Sequence, residues 1–185
     1  MSMRKANAVI TVLVLVFFLI HAIMGGFQLF GVIPGGKTLM KVITPIMEAF
    51  ILAHLVIGCK LTVDSLRAVK KSGKGYFREN KLFWVRRISG FAVMLFIFVH
   101  APVFAGKNDD GVYRLAAFEG VMLTAHILFV VSLALHIVSN AKPMLLSFGV
   151  KSFKELGLDI ALILSFVLIF TAIAFIIYYV RWNVI

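Results

Sequence analysis

The sequence predicts an all-α integral membrane protein, and three observations carry that prediction. The chain of 185 residues is 62% hydrophobic, its mean hydropathy is +1.03, and five apolar stretches are each long enough to cross about 30 Å of hydrocarbon as a helix. The bilayer itself supplies the core of such a chain. Residues 1–185 are therefore expected to form a single membrane domain with short connections.

The first stretch, about Ala8 to Phe30, follows the basic Arg4 and Lys5. Its apolar run is longer than a leader's and no small-residue cleavage site follows it, so a retained helix is expected. The second span is predicted over Val42 to Leu61, the third over Ile88 to Ala105, the fourth over Phe118 to Ser139 and the fifth over Leu158 to Val180. Orientation follows from charge. The connection between the second and third spans holds nine basic residues (Lys60, Arg67, Lys70, Lys71, Lys74, Arg78, Lys81, Arg86, Arg87), and the connection after the fourth holds Lys142, Lys151 and Lys154. The opposite side has only Lys37, Lys41, Lys107, Arg114 and Arg181. Basic residues are retained on the cytoplasmic side, so the N-terminus is expected there and the C-terminus outside, in the cell's inner (cytoplasmic) membrane. This alternation also accounts for the net charge of +11 without a nucleic-acid partner; membrane lipid is the expected contact.

The lone Cys59 excludes an internal disulfide and a cysteine-ligated cluster. Histidine is different. All five histidines, His21, His54, His100, His126 and His136, fall inside predicted spans. An ionisable side chain there costs on the order of 2.5 kcal/mol or more, and is normally retained for a relay, a pathway or a ligand. Depth sorts them. At 1.5 Å per residue from an inner boundary drawn at Lys5, Lys60, Arg86 and Lys142, His54 and His136 each lie about 9 Å in, an inner tier. His21 and His100 lie about 24 Å and about 21 Å in, an outer tier. Two imidazoles at one level on different helices offer nitrogens to opposite faces of one flat macrocycle, and this occurs twice, which points to two haem b groups. His126, also about 24 Å in, is a third candidate for the outer tier. It stands roughly 80° around the helix from His136, so both can face the bundle interior. The outer histidine left over is expected to bond a haem propionate or line a quinone pocket.

Weaker signals agree. The runs around His21 and His100 echo each other, as do His54 followed by Lys60 and His136 followed by Lys142, a pattern of repeated helix pairs. Gly25, Gly58 and Gly90 fall on the histidine-bearing helices, where a wedged macrocycle needs backbone without bulk, although close helix packing uses glycine in the same way.

The stretch Arg87-Ile88-Ser89-Gly90 entering the helix of His100-Ala101, with a histidine on each of helices one to four and none on the fifth, resembles the five-helix, two-haem cytochrome b membrane anchors of succinate dehydrogenase and fumarate reductase. The resemblance implies that His21 and His100 ligate the outer haem iron, and His54 and His136 the inner one. It implies an electron-transfer subunit between a membrane quinone or quinol and two partners, an iron-sulfur subunit and an FAD-containing flavoprotein, with no dicarboxylate chemistry on this chain. Some members of that family place a glutamate two residues before the fourth ligand as a proton route; here that position is Ala134.

Among further candidates, Arg87, Ser89 and Lys142, with Arg86, stand at the inner edge as propionate or quinone contacts. Glu48 is the expected acceptor of a quinol proton, preferred to Glu119, whose place at a helix start explains it otherwise. Lys70, Lys71 and Lys74 are expected to form a docking face for a cytoplasmic partner. Two other classes stay open: a cytochrome b subunit of a hydrogenase, formate dehydrogenase or nitrate reductase, and a transporter that relays protons through histidine.

Overall fold

Apolar runs of this length satisfy every backbone donor and acceptor internally only as helices, and that is how the chain folds. The computed structural model describes residues 2–72, 81–104, 107–109, 112–114, 118–150 and 154–183. Five helices span Met3–Phe30 (α1), Thr38–Ser72 (α2), Lys81–Phe104 (α3), Gly120–Ser147 (α4) and Lys154–Asn183 (α5). All five are long and apolar enough to cross a membrane. Each is longer than the span read from hydropathy, extended at one end or both, because a helix has no reason to stop at the lipid boundary when residues of good helix propensity flank it. α2 extends furthest, through the Asp64, Arg67, Lys70 and Lys71 stretch. Between α3 and α4, β1 (Lys107–Asp109) pairs antiparallel with β2 (Val112–Arg114), with Asn108 opposite Tyr113. The two strands are separated in the sequence by Asp110-Gly111, a dipeptide that favours hairpin turns and that the hydropathy reading passed over. Lys74, Tyr76, Phe77, Arg78 and Lys151 lie outside the described residues.

Helix ends follow local chemistry. The Ser2 hydroxyl accepts from the Lys5 N–H to cap α1, and Gly31 closes that helix at φ 77°, a left-handed conformation that a side chain disfavours. The Arg181 guanidinium of α5 occupies the space a Cβ on Gly31 would need and donates to the Leu29 carbonyl at 2.9 Å. Glycine is thus required there twice over, once for its φ and once for its missing side chain.

The close packings are α1 on α2, α3 on α4, and α5 against both α1 and α4, with a lesser contact between α1 and α4. The molecule is therefore two helix hairpins bridged by α5. The apolar core lies where α5 seals them: Leu29, Val103, Phe118, Val130, Leu168, Ala174, Phe175 and Tyr178 form its buried cluster. The Phe170 ring of α5 fills the space beside Gly26, which lets those two helices approach closely. Among the described residues no comparable packing joins α2 to α3 or α4. A cavity of about 2940 Å³ extends from Arg4 and Lys5 at one end to Glu48, Arg181 and Trp182 at the other.

Candidate functional site: two histidine pairs in a membrane cavity

His21 on α1, His54 on α2, His100 on α3 and His136 on α4 all line this cavity. They meet in pairs between the two hairpins. The His21 and His100 rings have centroids 6.0 Å apart, and the His54 and His136 rings 6.2 Å apart. A metal centre held between two such rings by one nitrogen from each, at about 2 Å, would need ring centroids about 6–6.5 Å apart. Both pairs are close to that separation.

Hydrogen bonds decide which nitrogen is available in the inner pair. The Thr11 hydroxyl donates its single hydrogen to the Asn7 carbonyl at 2.8 Å and lies 3.2 Å from His54 Nδ1. It is left only to accept, so His54 carries its proton on Nδ1 and keeps a lone pair on Nε2. His136 Nδ1 lies 3.2 Å from the Arg86 carbonyl, a group that can only accept. It too holds the proton on Nδ1, with the Ser89 hydroxyl 3.3 Å away. Among the described residues no hydrogen bond engages either Nε2, so both lone pairs are left to the cavity. In the outer pair, His21 Nδ1 lies 3.4 Å from the Thr44 hydroxyl, while His100 Nδ1 is buried without a partner among the described residues. Leaving a buried polar group unpaired costs about 1–3 kcal/mol, so this atom calls for an explanation.

Local sequence builds this arrangement. Pro143 lacks the N–H that would bond the Ser139 carbonyl four residues back, and Arg86 Nε donates to that freed carbonyl at 2.9 Å. The Arg86 main chain meanwhile accepts from His136, so one residue of α3 ties down one turn of α4 twice. Gly90 completes the seat: a Cβ there would stand 2.8 Å from His136 Cε1. Gly25 and Gly58 face open cavity, with nothing within 4 Å of where their Cβ atoms would be.

The other sequence candidates fall into two groups. Arg86, Arg87 and Glu48 line the cavity, Arg87 with its guanidinium 4.9 Å over the Phe83 ring. Ser89 is buried behind His136 and is not part of the cavity wall, and Lys142 does not line the cavity either. Glu119 is the N-cap residue of α4, and its side chain makes no capping bond. His126 is also outside the cavity wall. It is 1% exposed, its Nδ1 lies 2.6 Å from the Met122 carbonyl, and Phe104, Phe118 and Phe175 surround its ring at 5.2, 5.1 and 4.8 Å. Thr11, Thr44 and Pro143 escaped the sequence reading. The only sequence signal for the two threonines is a hydroxyl on a lipid-length apolar helix at a histidine's level.

Among the described residues, no three His, Cys, Asp or Glu side chains converge as a binding group for a bare metal ion. The donor set is two imidazoles per site. No known protein family, no curated protein and no solved structure matches this chain.

Proposed function

We propose that the chain is a dihaem cytochrome b membrane anchor, passing electrons between a membrane quinone and the iron-sulfur and flavoprotein subunits of a succinate dehydrogenase or fumarate reductase complex. The observation that carries this reading is the meeting of four imidazoles in two pairs, at 6.0 and 6.2 Å, in one cavity. Two protein donors leave a bare cation short of the four ligands it usually takes, whereas a macrocycle brings four of its own and needs only two more. The cavity is several times the roughly 300–1,000 Å³ of a drug-sized ligand site, room for more than one large planar group. The bare glycines facing it suit such groups.

A haem b held by each pair supplies one-electron transfer. The residues of this chain do the rest. His54 and His136 offer Nε2, with Nδ1 turned to Thr11 and to the Arg86 carbonyl; second-shell bonds of this kind fix the ring and raise its basicity. Arg4, Lys5, Arg86 and Arg87 give the inner end of the cavity positive charge, suited to the carboxylates of propionate. Glu48, at the other end, offers a carboxylate as proton acceptor for a quinol. The order of histidines over helices one to four, with none on α5, favours this class over the hydrogenase, formate dehydrogenase and nitrate reductase cytochromes.

The test is a reduced-minus-oxidised spectrum of the purified membrane assembly, with haem counted per chain. Two haems b are expected in the native chain, and one after replacing any of His21, His54, His100 or His136 by alanine. A colourless native assembly overturns the reading, and the copurified subunits identify the oxidoreductase.

A further inference from the structure

His126 cannot reach the cavity without dismantling the aromatic cluster around it, yet it carries an unspent group. Its Nδ1 faces the Met122 carbonyl, which can only accept, so that nitrogen bears the proton and Nε2 is left as an acceptor. Among the described residues that Nε2 is buried with no partner, as is Nδ1 of His100. The two rings are neighbours, with centroids 5.4 Å apart and planes at 54°. An N–H···N bond of ordinary length between two imidazoles puts their centres roughly 5 Å apart, so the separation of these two rings is close to that of a bonded pair.

The geometry points to His126 as the positioning residue of His100: its Nε2 accepts the His100 Nδ1 proton, and its own Nδ1–H is anchored on the Met122 carbonyl. The inference rests on the haem reading only in saying why His100 must present Nε2 to the cavity. The pairing removes both unpaired buried atoms at once. It gives His100 what Thr11 gives His54 and the Arg86 carbonyl gives His136, an acceptor behind the ring. It also assigns the fifth histidine a task other than ligation, so the outer site keeps His21 and His100 as its pair.

The experiment compares native chain, His126→Phe, His126→Gln and His100→Ala in the purified membrane assembly. Phenylalanine keeps the packing and removes the acceptor, and glutamine restores an acceptor. His126→Phe is expected to retain the native haem count while one midpoint potential rises, because loss of the acceptor makes the ligand a weaker donor to the ferric state. At least a tenfold change in the ferric/ferrous ratio is expected, about 59 mV for a one-electron couple, with His126→Gln returning at least half of it. If His126→Phe loses one haem as His100→Ala does, His126 is itself a ligand and the inference fails. It fails equally if potentials and ferric electron paramagnetic resonance spectra are unchanged. A readout independent of haem is the ¹⁵N-histidine spectrum of the full chain in detergent, in which an N–H···N coupling between His100 and His126 is expected and its absence overturns the pairing. A native chain without haem overturns the proposed function instead, and the ¹⁵N coupling then decides the pairing by itself.

Discussion

One hydroxyl hydrogen carries much of the chemistry at the inner pair. Because Thr11 spends it on the Asn7 carbonyl, His54 must donate from Nδ1, and the nitrogen facing the cavity is a lone pair rather than an N–H. Thr11→Val keeps the shape and removes the acceptor. It is expected to weaken haem retention at one of the two sites by about 10-fold, the low end of the usual second-shell effect, with Thr11→Ser restoring it. Transfer of haem to apomyoglobin measures this, and retention equal to the native chain would refute the assignment. None of this was legible in the sequence. A threonine on an apolar helix ordinarily bonds back to its own i−4 carbonyl, and only the fold shows that the same oxygen also meets a histidine 43 positions along the chain.

At the level of elements, the telling features are interruptions of helix regularity. Pro45, Pro102 and Pro143 lie inside α2, α3 and α4, and each removes a donor from its helix. At Pro143 the released Ser139 carbonyl becomes the anchor for Arg86. Gly90 lets α3 pass the His136 ring with no side chain between them. Gly90→Ala places a methyl 2.8 Å from Cε1 and 3.1 Å from Nδ1 of that ring, so it is expected to cost the inner-tier haem while sparing the outer one; two haems with native spectra in this variant would count against the seat described here. The sequence reading left Gly90 open between a cradle for a macrocycle and close helix packing, and the structure places it against the His136 ring. The five helices themselves were legible, because twenty or so apolar residues admit hardly any other structure in lipid. Their ends were less so, since hydropathy marks the membrane and not the helix.

For the whole molecule, two hairpins joined through α5 leave a cavity where α2 faces α3 and α4, and all four cavity histidines stand in it. The pairing between hairpins is the structural counterpart of the helix-pair echo in the sequence. Charge acts at this scale too: Lys60, Arg67, Lys70 and Lys71 lie along the C-terminal part of α2. Reversal of Lys70 and Lys71, the described part of the proposed docking face, is expected to reduce the partner subunits that copurify with the chain, most strongly at low ionic strength, where the charges are least screened. Unchanged subunit stoichiometry would rule that face out.

Composition and spacing by themselves determined that this chain lies in a membrane as five helices, and they placed five histidines at two depths, because helix rise converts residue number directly into height. They left open which nitrogens face inward and which of the three outer histidines belong together. Those questions turn on rotation about each helix axis and on contacts between residues far apart in the chain. Only the packed bundle decided them, by enclosing His126 in an aromatic shell and leaving the other four beside open space.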